Sequence, residues 1–552
     1  GFNNPQYWNY QNSTIDEITK KIYSSNYTSY DQRTELIRQA TVLGVNESVR
    51  IFLAAKIDPF VANKNVDGVI NDFGGGITGR FTPINSRTGD SMLKIGVKQI
   101  YQGAWNPVGG LSDAYSKNIW DTLNDPGIFK DPYSGQNFPV RQKWSVQTAG
   151  PQNKLDVPPD AINWDPIQQK WIQMGAGKKA TSKITYDLQW SNWHNGQKMD
   201  MDDVLYSVYF TQEWGTEQTK DDQTFDPEYT PTASQAAKTL VAIKPLDDHT
   251  VEVYVNYWHF DESEIADWGG VWVTMPWQIG AAMEKIVIDG KASFSKTNAQ
   301  AKSIPWLSLI IPRDAKLVSQ YLQQFSDSGF VPPSLAEFKK SPAYYESRYQ
   351  STIQWIKQKN HAVISNGPFY LQSYSPEART ITIKSFDDPS YPFSAGQWKK
   401  FEHVDLPQIT SVNVPERIVR GENMEIPIKT QFATRLYFFV NDASGSIISN
   451  GIIPIVNDSG KILVDSDTTK KMQSGGNDIK IYAISDSVFK PDIYTTSIFA
   501  VDKTIGNYTQ SAVTQKTQSQ TNYGIQFILA GIVIIILIYF IKKSRKSKTR
   551  IS

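Results

Sequence analysis

The stretch Trp193–Ser207 reads WHNGQKMDMDDVLYS and places a Trp, a His and several Asp residues close together in the chain. It is either a small active site or a structural unit that begins a helix. Asn195-Gly196 is a typical turn pair. Asp200 suits a helix N-cap, because its side chain can accept hydrogen bonds from the first free N–H groups, and Asp203 resembles the second half of a capping box. The stretch therefore predicts a turn followed by a capped helix.

The residues on both sides of this stretch extend the prediction. Ile184–Leu188 has the pattern of a β-strand, and Val204, Leu205 and Val208 form an apolar face on the helix that follows the turn. Trp193 is an anchor in this reading, and one His without a partner base is a weak catalyst. We therefore interpret the Asp residues as helix-starting groups rather than as catalytic acids.

No other motif in the chain predicts catalysis, a metal or a cofactor. The chain has no Cys, which excludes disulfides, zinc–thiolate sites and Cys nucleophiles. Neither a G-x-S-x-G motif nor a G-x-x-x-x-G-K-[ST] phosphate loop is present. The His residues are scattered and form no metal-binding spacing; they are His194, His249, His259, His361 and His403. We expect a protein that is not an enzyme, with no metal and no cofactor.

The chain up to residue 402 mixes helical and strand patterns, so its fold class is α/β. Helices are predicted at Ile15–Tyr23, Tyr30–Leu43 and Tyr345–Gln358. Strands are predicted at Leu93–Val97, Ile184–Leu188, Thr250–Val255 and Thr380–Ser385.

Residues 403–501 have a different pattern, with short alternating strands between turns. Met424, Ile426 and Ile428 alternate with polar residues or Pro, Leu436–Val440 is densely apolar, and Ser497–Val501 closes the set. This pattern predicts an immunoglobulin-like β-sandwich without a disulfide, which we interpret as a spacer.

The C-terminal end predicts a membrane anchor. Residues 502–523 are rich in Thr, Gln, Ser and Asn, as expected of a stalk. Residues 524–541, GIQFILAGIVIIILIYFI, carry no charge and are long enough to span a bilayer, and the basic tail 542–552 then faces the cytoplasm by the positive-inside rule. The prediction is a single-pass protein of the cell membrane with its ectodomain outside. The chain carries a net charge of +1, and removing its six tail cations leaves about −5, which argues against nucleic acid as a partner.

An exported ectodomain also fits the N-x-[ST] sequons, each of which is a weak signal by itself. These candidate glycosylation sites are Asn12, Asn26, Asn46, Asn457 and Asn507. The chain begins with Gly and has no signal peptide, so we expect that N-terminal sequence is missing.

Several segments together resemble the extracellular solute-binding proteins of the oligopeptide/dipeptide/nickel class, which serve ABC importers. That family has W-H-D-G, a polar run and D-V-x-Y-S; this chain has Asn195 in place of the Asp. Leu93–Tyr115, LKIGVKQIYQGAWNPVGGLSDAY, is similar to the family's first strand and its N-P…D segment. DPYSG at 131–135, HAVISNGPFYL at 361–371 and DPSY at 388–391 are similar to later family segments.

The N-terminal block at Tyr7–Val69 is similar to the C-terminal end of such a binding protein, so the family-like pieces occur tail before head. Two explanations are open: an upstream portion was truncated at Gly1, or the chain is an enlarged form with a second, partial unit. We therefore divide the region into residues 1–85, a C-terminal-like segment, and residues 86–402, the solute-binding region. The layout with a C-terminal anchor resembles archaeal binding proteins.

The resemblance implies a two-lobe, periplasmic-binding-protein-like fold of type II, enlarged or incomplete. It also implies capture of peptides or similar oligomers, such as oligosaccharides, for an ABC permease. Residues expected near the ligand cleft, with core packing as the alternative for each, are Trp105, Asn106, Asp113, Tyr115, Trp193 and Trp214. The alternative function is a structural or adhesive cell-surface glycoprotein built on the same fold. A secreted hydrolase is a third and weaker reading.

Overall fold

The structure, a computed structural model, describes residues 11–48, 53–54, 59–89, 92–98, 103–219, 222–338 and 340–502. The chain divides into two compact units, Gly1–Val404 and Asp405–Ser552. The sequence places this boundary between residues 402 and 403.

The first unit mixes helices with mostly short strands. Its helices are α1 (Ser13–Tyr23), α2 (Tyr30–Asn46), α3 (Phe81–Asn85), α4 (Ala114–Leu123), α5 (Met201–Trp214), α6 (Thr230–Thr239), α7 (Glu262–Trp268), α8 (Trp277–Ile288), α9 (Lys296–Lys302), α10 (Pro312–Ser328), α11 (Pro333–Ala336) and α12 (Pro342–Lys359), with a 3₁₀ turn at Gln397–Phe401. Its strands are β1 (Ile128–Lys130), β2 (Asn137–Pro139), β3 (Gln142–Thr148), β4 (Leu155–Asp156), β5 (Ile162–Asp165), β6 (Lys170–Gln173), β7 (Lys179–Ala180), β8 (Ser182–Leu188), β9 (Leu240–Pro245), β10 (Thr250–Val255), β11 (Phe369–Ser375) and β12 (Thr380–Ser385).

The largest sheet of the first unit has the order β3-β8-β10-β9-β5-β6, with every neighbouring pair antiparallel. In β8, alternate residues including Ile184, Tyr186 and Leu188 are buried, which is the period-2 pattern of a strand with one face on a core. The predicted strands at Ile184–Leu188, Thr250–Val255 and Thr380–Ser385 are confirmed.

The predicted strand at Leu93–Val97 is wrong: residues 92–98 contain no strand. Their apolar side chains Met92, Ile95 and Val97 are exposed, and no neighbouring strand pairs with them. An alternating pattern forms a strand only where a partner accepts its hydrogen bonds and a core covers one face.

The predicted helices are confirmed, and two of them begin earlier than expected, the first at Ser13 instead of Ile15. The helix predicted at Tyr345–Gln358 starts at Pro342, because Ser341 caps it by accepting the Tyr344 N–H and proline suits the first helical position. Helices α5, α8, α10 and α12 contribute to one continuous apolar core, which includes the fully buried Trp277.

Part of the N-terminal segment, predicted as a separate piece at residues 1–85, is packed into the first unit. Phe81 lies edge-on against Phe129, Trp398 and Phe401, with ring centroids 4.7–5.7 Å apart. The Glu402 carboxylate accepts a hydrogen bond from Asn85 at 3.0 Å, which ties α3 to the end of the unit. Residues 59–89 are therefore integrated with residues 103–404.

The second unit is a β-sandwich with one short helix. Its elements are β13 (Gln408–Val412), β14 (Arg417–Val419), β15 (Met424–Gln431), β16 (Arg435–Asn441), β17 (Ile447–Pro454), β18 (Ser459–Val464), α13 (Ser466–Lys471), β19 (Gly475–Ile484) and β20 (Asp492–Val501). The two sheets have the orders β13-β15-β18 and β14-β20-β19-β16-β17. Met424, Ile426 and Ile428 on β15 face the same core as Leu436 and Val440 on β16. The sandwich-like arrangement is confirmed, and its immunoglobulin-like character stays a prediction.

Among the described residues, no helix has the length and apolar character needed to cross a bilayer. The predicted transmembrane helix at 524–541 and basic tail at 542–552 lie outside the described residues, as does the predicted stalk after Asp502.

Candidate functional site

The stretch Trp193–Ser207 folds as a turn followed by the capped helix α5. Gly196 has a positive φ of +84°, which glycine adopts without strain. The Asp200 side chain accepts the Asp202 N–H at 3.1 Å, and the Asp203 carboxylate accepts the Asp200 N–H at 3.1 Å. This reciprocal pairing is the predicted capping box.

Asp203 also joins three helices through a second set of bonds. Its carboxylate accepts the indole N–H of Trp193 at 3.2 Å and the main-chain N–H of Trp277, at the start of α8, at 2.9 Å. It forms an ion pair with Arg348 of α12, and both side chains are almost completely buried. We call Asp203, Trp193, Arg348 and the Trp277 N–H the Asp203 cluster. It fixes α5, α8, α12 and the turn in one arrangement.

Asp202, the neighbour of Asp203, lies in a contrasting environment. It is 2% exposed, and its Oδ2 atom has no hydrogen-bond partner among the described residues. Burial, together with the nearby Asp200 carboxylate, raises the pKa of Asp202 to about 7. Asp203 has several donors that offset its desolvation, whereas Asp202 Oδ2 has none among the described residues.

His194 connects the turn to the segment Ser365–Gly367, which we call the SNG segment. Its Nδ1 accepts the Ser365 N–H at 3.2 Å, so Nε2 carries the proton donated to the Gly367 carbonyl at 3.1 Å. Burial lowers the pKa of His194 to about 3, and burial also lowers the pKa of His361 to about 4. Both rings are neutral at neutral pH, and His194 has a structural role.

The two buried His residues predict loss of stability in acid. Below the usual His pKa of about 6.5 the unfolded chain binds protons that the folded chain does not, so stability is present at neutral pH and falls as the pH falls. At pH 5 the resulting loss of unfolding free energy is about 2 kcal/mol for each His. The expected result is that His194→Gln loses less stability than the wild type between pH 7 and pH 5. Urea unfolding followed by Trp fluorescence measures this in the first unit, which contains all 16 Trp residues. Equal pH slopes for the two proteins would contradict the prediction.

The SNG segment in turn holds the loop between α7 and α8. Asn366 Nδ2 donates to the Val273 carbonyl at 2.9 Å, and Ser365 Oγ donates to the Thr274 carbonyl at 2.5 Å. The segments Trp193–Gly196 and Ser365–Gly367 therefore meet in space and support the same loop.

This loop forms one wall of a groove made of two adjoining cavities, which share Trp272 and Thr274. One cavity has a volume of about 240 Å³ and the other about 180 Å³. The smaller cavity is mostly apolar and aromatic, and its lining includes Val108, Tyr206, Phe210, Tyr229, Met275, Met283 and Phe294. The larger one is lined by Pro126, Gly127, Ile128, Gln142, Asp267 and Gly270 besides the shared residues. The groove is apolar on the side of the smaller cavity and mixed on the side of the larger one, and it is the candidate ligand surface of the first unit.

Trp272, between the two cavities, is held by several contacts. Its indole stacks on Trp190 with ring centroids 5.5 Å apart, and its Nε1 donates to the Asp125 carbonyl at 2.9 Å. With its amide oxygen turned to the loop, Gln142 accepts the N–H groups of Val271 at 3.1 Å and Trp272 at 3.3 Å. The Arg141 guanidinium lies over the Trp272 ring, 5.1 Å from its centroid.

Gly127 gives a direct test of how tightly this wall is packed. A Cβ at this position would lie 2.0 Å from the side-chain amide of Gln142 and 2.6 Å from the Trp272 Cβ. Gly127→Ala is therefore expected to displace Trp272 and to lower the free energy of unfolding by about 1–3 kcal/mol, as overpacking does. Near-UV circular dichroism and urea unfolding measure both effects. Gly96→Ala, where a Cβ meets no atom within 4 Å and the backbone φ is not positive, controls for loss of a glycine. An unchanged Trp signal in Gly127→Ala would contradict the prediction.

The six residues expected near the cleft do not line this groove. Trp105, Asn106, Trp193 and Trp214 are 0% exposed. The main-chain N–H of Trp105 donates to Ser308 Oγ, and the Asn106 side chain donates to the carbonyls of Phe294 and Leu307. Trp214 donates to the buried Glu284 at 2.7 Å. Asp113 caps α4, and Tyr115 is half-buried in its first turn. Their contacts are those of packing and capping groups, and ligand contact stays a prediction.

The sequons in the described part of the chain occupy varied positions. Asn12 is half-buried, caps α1 and donates to Glu47 at 2.8 Å. Asn26, Asn46 and Asn457 are exposed, and Asn457 lies in a turn with a positive φ of 49°. Asn507 lies outside the described residues. Glycosylation stays a prediction.

The groove residues Phe210, Trp272 and Met283 were not identified from the sequence. A weak signal was present: the double glycine Gly269-Gly270 precedes VWVTMPW, an apolar run that ends at a Pro before a helix. Such a run between two helices marks an irregular, extended connection. Among the described residues, no group of His, Asp and Glu is arranged to hold a metal ion.

Comparisons with models of known protein families and with curated proteins give no match. Among solved structures, the chain is similar to the fibronectin(III)-like modules of Clostridium thermocellum CbhA, with 13% identity and a TM-score of 0.15. The match covers 20% of this chain and 53% of that chain, so it spans about half of the solved structure.

Proposed function

We propose that this protein is a membrane-anchored, extracellular substrate-binding protein of an ABC importer that captures peptides or similar oligomeric solutes. The observation that carries the proposal is the open groove around Trp272, whose apolar and aromatic side at the smaller cavity suits part of an oligomeric ligand. The link from His194 through the SNG segment to the groove wall adds support, because it connects the family-like pieces to a binding surface.

The finer parts of the proposal follow from the same resemblance. The binding region has a two-lobe, periplasmic-binding-protein-like fold that closes on its ligand. Residues 524–541 anchor the chain, and the basic tail lies in the cytoplasm. Ligand then passes to permease subunits in the same membrane. Protease treatment of intact cells tests the topology: digestion of the ectodomain with protection of the tail is expected, and protection of both would contradict it.

Binding is tested on the full-length protein in detergent with separate pools of peptides and oligosaccharides. A ligand that binds only the folded state raises the melting temperature by mass action. The expected result is a concentration-dependent rise with the peptide pool, read by Trp fluorescence from the first unit. Unchanged melting temperatures with every pool at millimolar concentration would contradict a binding function.

A structural or adhesive surface role is the second candidate, and the outer face of the second unit favours it. Ile452, Tyr437, Tyr482 and Ile493 are direct cross-strand neighbours and form one row across four strands. Ile452 is 66% exposed and Ile493 is 56% exposed. Exposed apolar groups gathered on one face favour contact with another surface. If this candidate function is correct, we expect the Tyr482→Lys variant to lose cell adhesion and to retain solute uptake.

A further inference from the structure

The main chain of the loop between α7 and α8 forms part of the groove wall. All six residues from Trp272 to Trp277 line the smaller cavity. Val273 is buried while Trp272 and Thr274 are half-buried, and the chain bends at Thr274 and Met275. The main chain of this loop therefore runs along the groove together with its side chains.

The orientation of two peptide groups in this loop follows from their carbonyl bonds. The Val273 and Thr274 carbonyls are bound by Asn366 and Ser365 of the SNG segment. In a planar trans peptide the N–H points opposite to the C=O, so the N–H groups of Thr274 and Met275 point away from the SNG segment. Neither N–H has a hydrogen-bond partner in the part of the chain that the structure describes. Two successive donors thus point away from the SNG segment, on a loop whose residues line the smaller cavity.

The surroundings of these donors select the type of acceptor. One side carries the apolar lining of Phe210, Tyr229 and Met283, and the other carries Pro126 and Ile128. No Lys or Arg is among the residues described as lining either cavity, whereas Asp267 lines the larger one. A carboxylate would find no counter-charge and would be repelled by Asp267. A neutral carbonyl oxygen suits the pair of N–H groups.

We propose that the N–H groups of Thr274 and Met275 bind an uncharged carbonyl of the ligand, with apolar ligand groups seated on both sides of Trp272. This chemistry fits an inner unit of an extended peptide whose large apolar side chain fills the cavity beside Phe210. The inference rests on the proposed binding function and names the ligand chemistry that its groove selects.

The experiment uses the full-length protein in detergent and two probes, the blocked dipeptide acetyl-Phe-Leu-amide and the free acid acetyl-Phe. Affinity is measured by calorimetry, and main-chain exposure by hydrogen–deuterium exchange. The blocked dipeptide is expected to bind at least about ten-fold more tightly than the free acid, because a charged group without a partner is disfavoured in this groove. Bound dipeptide is also expected to slow amide exchange at residues 273–275. Tighter binding of the free acid, or binding of the dipeptide without protection at 273–275, would overturn the proposal.

A variant pair tests the apolar side of the groove. Phe210→Trp reduces the space in the smaller cavity and is expected to weaken dipeptide binding by about ten-fold. Phe439→Trp, in the second unit, is the matched control and is expected to bind as the wild type does. Unchanged affinity in a folded Phe210→Trp protein would overturn the proposal, and the exchange experiment on the wild type decides it if this variant does not fold.

Failure of this inference is distinguishable from failure of the binding function. If peptide pools raise the melting temperature but leave exchange at residues 273–275 unchanged, the protein binds peptides elsewhere and only the site is wrong. If no pool or probe binds, both the site and the binding function are wrong.

Discussion

Replacing Asp203 by Ala is expected to lower the free energy of unfolding of the first unit by about 3–5 kcal/mol, the usual loss when one partner of a buried ion pair is removed. The Arg348 guanidinium would remain buried without its carboxylate, and the N–H groups of Trp193 and Trp277 would lose their acceptor. Urea unfolding followed by Trp fluorescence measures the loss, since all 16 Trp residues belong to this unit.

The neighbouring Asp202 provides a matched control for this prediction. Its folded pKa is raised to about 7 by burial, so the folded state holds a proton that the unfolded chain releases above about pH 4, and stability falls as the pH rises through 7. Asp202→Asn removes this loss and is expected to be at least as stable as the wild type at pH 8. Asp203→Ala is thus expected to lower the free energy of unfolding, whereas Asp202→Asn, in the same helical turn, is expected to keep or raise it at pH 8.

A double-mutant cycle assigns the loss to the ion pair. If Asp203 acts mainly through Arg348, the variant carrying Asp203→Ala and Arg348→Met together should be more stable than the sum of the two single changes predicts. If the two single losses of unfolding free energy simply add, then helix capping and the hydrogen bonds from Trp193 and Trp277 are the main contributions of Asp203. A loss below about 1 kcal/mol in Asp203→Ala would contradict the central role of the Asp203 cluster in folding.

The features predicted correctly from the sequence are those fixed by residues near one another in the chain. The capping box needs only Asp200 and Asp203, three positions apart, and the strand Ser182–Leu188 needs only alternating burial. The same alternation failed at Leu93–Val97, because a strand also needs a partner that its own residues do not specify. Local pattern decides local structure where the tertiary surroundings agree with it.

The candidate site was not predicted, because its parts come from distant segments. The groove is built from α5, α8 and the loop at 270–276, and this loop is positioned by Asn366 and Ser365, more than ninety residues later. The pairing of Arg348 with Asp203 spans 145 residues. Aromatic residues also mislead when they are read alone: Trp272 lines the groove, whereas Trp105 and Trp214 fill the core.

Replacing Trp193 by Ala is expected to cost about 3–5 kcal/mol of unfolding free energy, as large-to-small changes in a core do. The indole is 0% exposed and belongs to the main apolar core of the first unit. Trp193→Phe keeps most of the ring packing and loses the bond to Asp203, so a smaller loss of about 1–3 kcal/mol is expected. Urea unfolding of both variants measures the difference.

The same pair of variants separates a packing role from a ligand role for Trp193. If the residue acts through packing, Trp193→Phe should bind the blocked dipeptide as tightly as the wild type does, because the side chain does not line the groove. Trp272→Phe is the matched change on the groove wall and should weaken binding, since it removes the indole shared by both cavities. Weaker binding in Trp193→Phe with an unchanged unfolding free energy would contradict the packing role. Trp193 would then contact the ligand directly, whereas its neighbour His194 supports the groove wall through the SNG segment.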